Sequence, residues 1–546
     1  MISRSVRIIP AGLLAFVIAG SGCALVLGLD DFEDAPAPED QNTGGNGSAN
    51  ACKPNRTEEC YSGPRGTADI GLCKSGTRTC DENGTTWSAC KNERLPAQEL
   101  CASDDDENCD GFDCILWAQT FGSDAIANSI AIDREGNIIA AGGFSEPVRL
   151  GAGPLTSAGG SDIFVAAFDK SGNHLWSHRF GDAAAQEATS VSTDASGNIF
   201  LTGVSSGTIN FGGSDVGPGL FVAKFDNKGA HIWSRGFPAN LVNERIFDQF
   251  VRIVRPKINS TQHGDALLSG TFRGNIEFDD AILTSAPANT LDMYIAKLDG
   301  STGSASVEQG GWARRFGSSG DDMLIDTAID RSNNIVITGN HQDSISFGDS
   351  PELDGAGMFL AKLDSDGNPT WTRGFHNGYP SALDVDALGN ISATGNYDES
   401  IEFEIGKTLG ASAEHTAVFV AQFNTSGEHR WSRDFEGTIH NATADISADA
   451  LNNIVVTGDF SGELRVDNEI LEHAELPSPW VLKLDSSGKT LWKESYPSGG
   501  PSFGIAARTD PSAETIIAGS FSRTIMFDSG TLRSDHETVF IAKLGL

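Results

Sequence analysis

The sequence predicts an all-β fold assembled from repeats, and three observations lead to this prediction. Seven of the nine tryptophans recur at intervals of 59, 57, 79, 59, 60 and 61 residues: Trp117, Trp176, Trp233, Trp312, Trp371, Trp431 and Trp492. Between them lie short segments rich in β-branched and aromatic residues, broken by Gly, Asn and Asp, which is typical of strands joined by turns. No segment has apolar residues at a convincing helical period.

Each repeat contains four predicted strands, which the second repeat shows most clearly. Strand A ends at Asp194, strand B follows Gly197 and Asn198, strand C begins at Leu220, and strand D carries the tryptophan. Four strands in each of seven repeats predict a seven-bladed β-propeller, because radial closure leaves few sheet edges exposed. Strand A would be the innermost strand of each blade and strand D the outermost.

The two ends of the repeat region predict how the ring closes. The last repeat ends with its strand C, at Phe540 to Leu546, and no strand D follows. A segment of the strand D type, Ile115–Phe121, stands instead before the first repeat. We therefore expect this N-terminal strand to complete the seventh blade, and the propeller to span residues 115–546.

This part of the chain resembles the bacterial seven-bladed β-propeller repeat family. The resemblance rests on phrases such as Asp-x-x-Gly-Asn-Ile-x-x-x-Gly, at Asp194 to Gly203, and Phe-Val-Ala-Lys-x-Asp-x-x-Gly-x-x-x-Trp, at Phe221 to Trp233. It implies the propeller fold and no single activity, because one fold carries many functions.

Loop spacing distinguishes the two faces of the predicted ring. The interval from the Asp that ends strand A to the Gly that ends strand B is 9 residues in six repeats, so we interpret the A–B turns as structural. The B–C interval varies from 18 to 24 residues, and variable loops on a rigid scaffold often carry binding sites. Acids of the D–A loops on that face form a candidate binding rim for a cation or a basic partner: Asp182, Glu187, Asp321 and Asp322. The alternative is that any chain this acidic shows such a rim.

The third repeat departs from the pattern. The segment from Phe250 to Pro256 replaces a plain strand A, and Arg252, Arg255 and Lys257 form a basic cluster that is unusual in this chain. The cluster is either a docking feature or part of an insertion without function.

The N-terminus predicts export and lipid attachment. Arg4 and Arg7 precede an apolar stretch that is too short to span a membrane as a helix, and Cys23 follows three small residues. Residues 1–23 thus resemble a lipoprotein signal peptide with Cys23 as the lipidated residue, although Gly20 departs from the usual leucine. The alternative is an ordinary cleaved signal. Residues 24–50 are predicted to be a disordered tether.

Residues 51–114 predict a disulfide-rich module. Eight cysteines lie between positions 52 and 114, and none follows: Cys52, Cys60, Cys73, Cys80, Cys90, Cys101, Cys109 and Cys114. An even, clustered set in an exported chain predicts four disulfides, and 105 pairings are possible. Zinc is disfavoured because the segment has no histidine and no Cys-x-x-Cys pair. The pattern resembles cysteine-rich modules of secreted myxobacterial proteins, some of which are described as metal-binding.

An acidic loop within this module is a candidate calcium site. Its oxygen donors are closely spaced around a glycine: Asp104, Asp106, Asn108, Asp110 and Asp113. Ca²⁺ prefers such hard ligands, although the glutamate that completes an EF-hand loop is missing. The alternative is a solvated acidic linker held by disulfides.

The predicted function is binding or display at the cell envelope. A net charge of −36 argues against nucleic acid as a partner. The sequence has no His-Glu-x-x-His, Walker or Gly-x-Ser-x-Gly motif, and strand A offers mostly Ala, Ser, Val, Ile and Thr to the centre of the ring. We expect a non-enzymatic, lipid-anchored protein of the outer membrane, facing the periplasm or the surface, with a protein or glycan partner. The alternatives are a calcium-binding surface protein and a propeller hydrolase or lyase.

Overall fold

Disulfides and antiparallel sheets organise the part of the chain that the computed structural model describes. These residues are 52–545 except 65, 98, 102–104, 110–113, 123–124, 240–254, 349, 411–415, 438–439, 468 and 528–529. The chain separates into two compact units. The smaller holds the described residues 52–57 and 79–88, and the larger holds residues 58–78 and 89–545.

All eight cysteines of the disulfide-rich segment are paired, which confirms four disulfides. The bonds are Cys52–Cys80, Cys60–Cys90, Cys73–Cys109 and Cys101–Cys114. The first lies in the smaller unit and the other three lie in the larger one. Two short strands belong to this segment, β1 (Thr57–Cys60) and β2 (Gly76–Thr79). Covalent links replace the apolar core that so few residues cannot build.

From Ile115 onward the described chain is antiparallel β-structure. The strands of the first part are β3 (Ile115–Phe121), β4 (Ala125–Ile132), β5 (Ile138–Phe144), β6 (Val148–Arg149), β7 (Pro154–Leu155), β8 (Asp162–Phe168), β9 (His174–Phe180), β10 (Gln186–Thr193), β11 (Ile199–Ser205), β12 (Ile209–Asn210), β13 (Asp215–Val216), β14 (Gly219–Phe225) and β15 (His231–Phe237). The middle part contains β16 (Lys257–Ser260), β17 (Ala266–Phe272), β18 (Asn275–Phe278), β19 (Ala281–Thr284), β20 (Asp292–Leu298), the 3-10 helix Val307–Gln309, β21 (Trp312–Phe316), β22 (Asp322–Ile329), β23 (Ile335–His341), β24 (Gly357–Leu363) and β25 (Pro369–Phe375). The last part contains β26 (Gly378–Val385), β27 (Ile391–Tyr397), β28 (Ser400–Glu404), β29 (Lys407–Gly410), β30 (Thr416–Phe423), β31 (His429–Gly437), β32 (His440–Ala448), β33 (Ile454–Val466), β34 (Glu469–Leu484), β35 (Thr490–Ser495), β36 (Ser502–Thr509), β37 (Thr515–Phe527) and β38 (Gly530–Leu544).

Strands pair in groups of four along the chain. The four-stranded sheets are β4-β5-β8-β9 (sheet 1), β10-β11-β14-β15 (sheet 2), β16-β17-β20-β21 (sheet 3), β22-β23-β24-β25 (sheet 4) and β3-β38-β37-β36 (the terminal sheet). An eight-stranded sheet joins β26-β27-β30-β31 to β33-β34-β35, with β32 paired to β33. The four strands of each group correspond to predicted strands A, B, C and D.

Burial explains why strands B and C are apolar runs. All seven residues of β8, a strand C, are buried, whereas the neighbouring strand D, β9, has no buried residue. A strand with neighbours on both faces loses the polar–apolar alternation of a half-exposed strand. The strand order A-B-C-D therefore follows from the sequence pattern.

The fifth residue of each strand B is a glycine, and in six groups strand A approaches it closely. The ladder between strands A and B is irregular at the same place in six groups, for example between Ala188 and Ser190 opposite Gly203. A Cβ at Gly203 would collide with the carbonyl oxygen of Glu187. The constant interval of 9 residues thus has a steric cause.

Each B–C hairpin packs against the group of strands that precedes its own group. Ile209 and Phe211 pack on Phe180, the last aromatic residue of the preceding strand D. The same contact recurs for Val148 and Leu150 on Phe121, Ile276 and Phe278 on Phe237, Ile345 and Phe347 on Phe316, Ile401 and Phe403 on Phe375, Leu464 and Val466 on Phe435, and Ile525 and Phe527 on Tyr496. The hairpin formed by β33 and β34 is longer than the others. As a result, Glu436 and Gly437 of β31 pair with Arg465 and Leu464. That pairing merges two groups into the eight-stranded sheet.

The terminal sheet combines the first and last strands of the β-structure that begins at Ile115. β3 pairs with β38, with Ile115 opposite Leu544 and Phe121 opposite Val539. β3 has the bounds expected from the sequence and takes the strand D position of this sheet.

Each strand D tryptophan contacts the next C–D turn, with one exception. Trp176 Nε1 donates a hydrogen bond to Asn227 O at 3.2 Å. The equivalent bonds run from Trp117, Trp233, Trp312, Trp371 and Trp431 to the carbonyls of Lys170, Gly300, Ser365, Thr425 and Ser486. Trp492 is buried, and its Nε1 has no partner among the described residues. The turn that would accept its hydrogen bond is missing, because strand D of the terminal sheet comes from the N-terminal side of the chain.

A disulfide lies where that turn is missing. Cys101 and Cys114 belong to the same hydrophobic cluster as Trp492. Gly545 N donates to Cys114 O at 2.8 Å, which joins the end of β38 to the residue before β3. Within the larger unit, the last part of the cysteine-rich segment therefore packs on the terminal sheet.

The third repeat differs from the sequence interpretation. Its strand A is β16, Lys257–Ser260, rather than the segment from Phe250 to Pro256, of which residues 250–254 lie outside the described residues. Thr261 takes the turn position that Asp occupies elsewhere, and Asp265 N donates to its Oγ1 at 3.1 Å. From Thr261 to Gly270 the interval is again 9 residues. The sequence interpretation therefore placed this strand A too early in the chain.

In the part of the chain that the structure describes, no helix is both long and apolar enough to cross a membrane.

Candidate functional site

The A–B turns use their polar groups internally. Asp194 accepts hydrogen bonds from Ser196 N, Asn198 N and Asn198 Nδ2, at 2.8 to 2.9 Å. The Nζ of Lys224, a buried strand C residue, lies 3.4 Å from the same carboxylate. Four other repeats have the hydrogen bond from an asparagine four positions later, at Asp133, Asp330, Asp386 and Asp449. A strand C lysine also pairs with Asp330 and with Asp449. The side chains that recur on this face therefore stabilise turns.

The predicted rim residues are engaged with neighbouring loops. Asp182 accepts from Ala184 N and Thr208 N, both at 2.8 Å, and these backbone N–H groups hold the pKa of Asp182 below its ordinary value. Asp321 accepts from Leu291 N at 2.8 Å. Both residues thus connect a D–A loop to a B–C loop. The structure does not bring all four rim residues into one cluster of ion pairs or hydrogen bonds among the described contacts.

Glu187 of β10, a strand A, contacts the preceding strand A and the residues that lead into the next one. It accepts from Asn128 Nδ2 at 2.9 Å and from Arg255 Nη1 at 2.8 Å. Arg255 belongs to the basic cluster noted in the sequence, and Lys257 of that cluster lies 3.5 Å from Asp326. Arg252 lies outside the described residues. The two described members of the cluster therefore form ion pairs within the protein.

Two buried aspartates begin strand C on the B–C side. Asp162 accepts from Arg179 Nε at 2.5 Å, and Asp292 accepts from Arg315 Nε in the equivalent place. Neither aspartate has exposed surface, and one oxygen of each, Oδ1, has no hydrogen-bond partner. Each arginine thus offsets the free-energy penalty of burying a charged carboxylate.

The rim residue Asp322 interacts electrostatically with the buried Asp292. Its backbone N–H donates to Leu291 O at 2.7 Å, its Oδ2 accepts from Ser318, and its buried Oδ1 has no partner. Burial raises the pKa of Asp322, and the charge of Asp292 raises it further. Sheet 2 has Gln186 at the corresponding position, with its N–H bonded to Ser161 O at 2.7 Å.

The substitution Asp322→Asn is expected to stabilise the protein at neutral pH. A raised pKa in the folded state means that stability is fully present at low pH and is lost as the pH rises. The asparagine side chain would not titrate and would add a donor beside Asp292, so the variant should gain about 1 kcal/mol at pH 7.5 and nothing near pH 3.5. Urea unfolding at both pH values measures this difference.

Asp182→Asn is the matched control for Asp322→Asn. The folded-state pKa of Asp182 is lowered, so its contribution is present at neutral pH and the substitution should destabilise there. A loss of stability in Asp322→Asn at pH 7.5 would contradict the expectation.

Five charged side chains from consecutive strands A form a second cluster, which we call the strand A cluster: Lys257 of β16, Asp326 of β22, Asp384 of β26, Asp445 of β32 and Arg508 of β36. Lys257 pairs with Asp326 at 3.5 Å, and Arg508 forms a close ion pair with Asp445. Each aspartate also accepts from the next strand A, through Leu383 N, Ala448 N and Ala507 N at 3.0, 2.8 and 3.1 Å. The cluster therefore links the strands as well as concentrating charge.

Asp384 differs from the other members because no cation pairs with it among the described contacts. Its oxygens accept from Val385 N and Ala448 N, both at 2.8 Å. Burial raises the pKa of Asp384 to about 6; the charge of Asp445 adds to this effect and that of Arg508 opposes it. Burial likewise raises the pKa of Asp445, against the influence of Arg508.

The sequence interpretation missed this cluster and expected little chemistry on strand A. A signal was present in the spacing from the turn residue. Asp326 and Asp445 stand four positions before Asp330 and Asp449, and Lys257 stands four before Thr261. Asp384 and Arg508 stand two positions before their turn residues. Positions two and four before a turn lie on one face of a strand, so alignment on the turns would have predicted one charged face.

The candidate calcium and lipid sites lie largely outside the described residues. Cys23, Asp104, Asp110 and Asp113 are not described. Of the other calcium candidates, Asp106 Oδ1 accepts from Cys109 N, and Asn108 N donates to Glu99 Oε2 at 3.0 Å. The calcium site remains a prediction. Among the described residues, the one group of three close metal-ligand atoms is Cys52, Cys80 and Asp81, whose two sulfurs form a disulfide.

The fold defines the class of the protein. Groups of four antiparallel strands follow one another along the chain. The strands A of neighbouring groups contact each other, and each B–C hairpin packs against the preceding group. This is a β-propeller repeat protein, which confirms the predicted all-β propeller class.

Comparisons with known proteins agree with this class. No protein-family model matches the chain. Over 458 residues it is 22% identical to an uncharacterized WD repeat-containing protein of Acanthamoeba polyphaga mimivirus, a match that covers 72% of this chain and 29% of that protein. The chain thus spans less than a third of that relative's length.

Three solved structures are among those similar to the chain. The Dos1 propeller is 8% identical with a TM-score of 0.36, covering 79% of this chain and 94% of its own. Polysaccharide lyase Uly1 is 11% identical with a TM-score of 0.37, covering 77% and 90%. A protein of unknown function from Dyadobacter fermentans DSM 18053 is 10% identical with a TM-score of 0.34, covering 79% and 100%.

Proposed function

We propose that this is an exported, lipid-anchored protein of the cell envelope that binds a protein or glycan on the face formed by its B–C and D–A connections. Its propeller would form a closed ring of seven blades, counting the eight-stranded sheet as two. The pairing of β3 with β38 supports closure. So does the hydrophobic cluster that combines Ala506 and Ile516 of the terminal sheet with Ile130 and Ile138 of sheet 1.

Export is supported by chemistry at the N-terminal side of the chain. Four disulfides need an oxidising compartment, and the first 23 residues have the charge and apolar pattern of an export signal. Cys23 would carry the lipid, and residues 24–50 would separate the anchor from the folded units.

The observation that carries the binding role is the difference between the two faces. On the A–B side the recurring carboxylates are bonded within their own turns. On the B–C side the connections differ in length from repeat to repeat and present exposed acids such as Glu352 and Asp354. Variation on a rigid scaffold is typical of a surface that recognises a partner.

Partner recovery from envelope extracts tests this role. We expect the double variant Glu352→Gln/Asp354→Asn to recover its partner about three- to tenfold less than the wild type, because each exposed charge contributes up to ~1 kcal/mol. The matched control is Glu135→Gln/Asp366→Asn, which neutralises two exposed acids of the opposite turns. The full chain is used, and Cys23→Ser should in addition lose incorporation of labelled palmitate. Equal losses in both double variants, or none in either, would argue against this face.

A further inference from the structure

The charges of the strand A cluster do not balance. It contains three carboxylates, Asp326, Asp384 and Asp445, and two cations, Lys257 and Arg508. Each cation is within ion-pair distance of one carboxylate. Asp384 accepts hydrogen bonds from backbone N–H groups only, among the described contacts. One further positive charge beside Asp384 would neutralise the cluster.

The strand A cluster is partly open to solvent. The side chains of Lys257 and Arg508 keep 34% and 35% of their surface exposed, whereas those of Asp326 and Asp445 keep 12% each. Asp384, the carboxylate without a cation, is itself partly exposed. A small polar group can therefore contact Asp384, and an electrostatic interaction with a partly buried carboxylate is less screened than one at the open surface.

The arrangement of oxygens decides which kind of cation fits. Ca²⁺ takes six to eight oxygen ligands, but no three carboxylates of this cluster bring their oxygens within 4.8 Å of one another in the described structure. The carboxylates also already bind backbone N–H groups of neighbouring strands. An ammonium or guanidinium group needs only one carboxylate in close contact and carries the single charge that the cluster lacks.

We propose that the strand A cluster binds one protonated amine or guanidinium group, with Asp384 as its main acceptor. The group belongs either to a small free amine or to a lysine or arginine side chain of a partner. This site goes beyond the proposed function, because it lies on strands A and does not depend on the B–C face. It also does not depend on the number of blades.

Binding at this site should depend on pH in the acidic range. The charged groups around Asp384 are Asp445 and Arg508, with Asp326 and Lys257 next to them. With its pKa raised to about 6, Asp384 is ionised in about one molecule in ten at pH 5 and in about nine in ten at pH 7. Since the cation needs the ionised form, affinity should rise about tenfold between these pH values.

Calorimetric titration of the full chain with agmatine at pH 5 and pH 7 tests the site. We expect saturable binding that is about tenfold tighter at pH 7, and at least a tenfold loss at pH 7 in Asp384→Asn, which keeps an oxygen acceptor for Ala448 N. Glu135→Gln removes an exposed acid of an A–B turn and should leave binding unchanged. N-Butylacetamide, a neutral molecule of similar length, should not bind.

A competition experiment distinguishes the two possible sources of the cation, and three results would contradict the proposal. If an arginine-containing tripeptide competes with agmatine, a partner side chain fits; if it does not, the site takes small amines. Should Asp384→Asn misfold, the pH dependence of the wild type still decides. Absence of saturable agmatine binding at pH 7, binding independent of pH, or full binding by folded Asp384→Asn would each overturn the proposal, whatever the result of the partner recovery experiment.

Discussion

The substitution Phe121→Ala is expected to destabilise the larger unit by about 3–4 kcal/mol, the usual cost of removing a buried aromatic side chain. Phe121 lies at the end of β3, and its ring centroid is 4.6 Å from that of Phe168 in sheet 1. Val148 and Leu150 of the first B–C hairpin belong to the same cluster. The substitution thus weakens the contact between the terminal sheet and sheet 1, and urea unfolding measures the effect.

Phe375→Ala provides the comparison for Phe121→Ala. Phe375 takes the equivalent place at the end of β25 and is 5.3 Å from Phe403, ring centroid to centroid. If β3 is an integral strand, both substitutions should cost similar amounts, while exposed Leu175→Ala should change stability by less than about 0.5 kcal/mol. If Phe121→Ala leaves the free energy of unfolding unchanged while Phe375→Ala lowers it, β3 does not stabilise the terminal sheet.

Removal of the Cys101–Cys114 disulfide is expected to cost the larger unit about 3 kcal/mol through the loop-closure entropy of the unfolded chain. The two cysteines are 13 residues apart in sequence and are buried in the cluster with Trp492 and Tyr496. The double variant Cys101→Ala/Cys114→Ala should therefore lower the melting temperature and expose Trp492. Thermal unfolding followed by tryptophan fluorescence detects both changes.

The Cys52–Cys80 disulfide supplies the control for this experiment. It closes a longer loop, 28 residues, but lies in the smaller unit, which contains Trp87 and no other tryptophan. Cys52→Ala/Cys80→Ala should leave the main transition of the larger unit in place. A main transition that falls equally in both double variants would show that the effect does not arise at the terminal sheet.

Local chemistry explains which features the sequence predicts well. The A–B turns are closed by an aspartate that binds residues two and four positions later, so Asp194, Ser196 and Asn198 are enough to identify one. Strand β3 was predictable for a similar reason, because its seven residues repeat the pattern of a strand D. Such features depend on neighbours in sequence.

Features that depend on distant residues escaped the sequence interpretation. The strand A cluster becomes visible only when five strands are aligned on their turns, and the Thr261 turn hides one of these alignments. Asp182 and Asp321 look like free acids in sequence, yet each binds a backbone N–H of a B–C loop, Thr208 N and Leu291 N respectively. The disulfide pairing likewise had 105 solutions until the backbone brought the cysteines together.

The position of β3 sets an order of events during synthesis and folding. Ile115 leaves the ribosome 429 residues before its partner Leu544. The B–C hairpin of each repeat can form as it emerges. The pairing of β3 with β38 forms later, because closing so long a loop loses entropy before the contact is made. A prematurely terminated chain would lack β38 and would keep β3 as an unpaired strand, an edge open to other chains. Completion of the terminal sheet is therefore a late step of folding, because β3 must wait for β38.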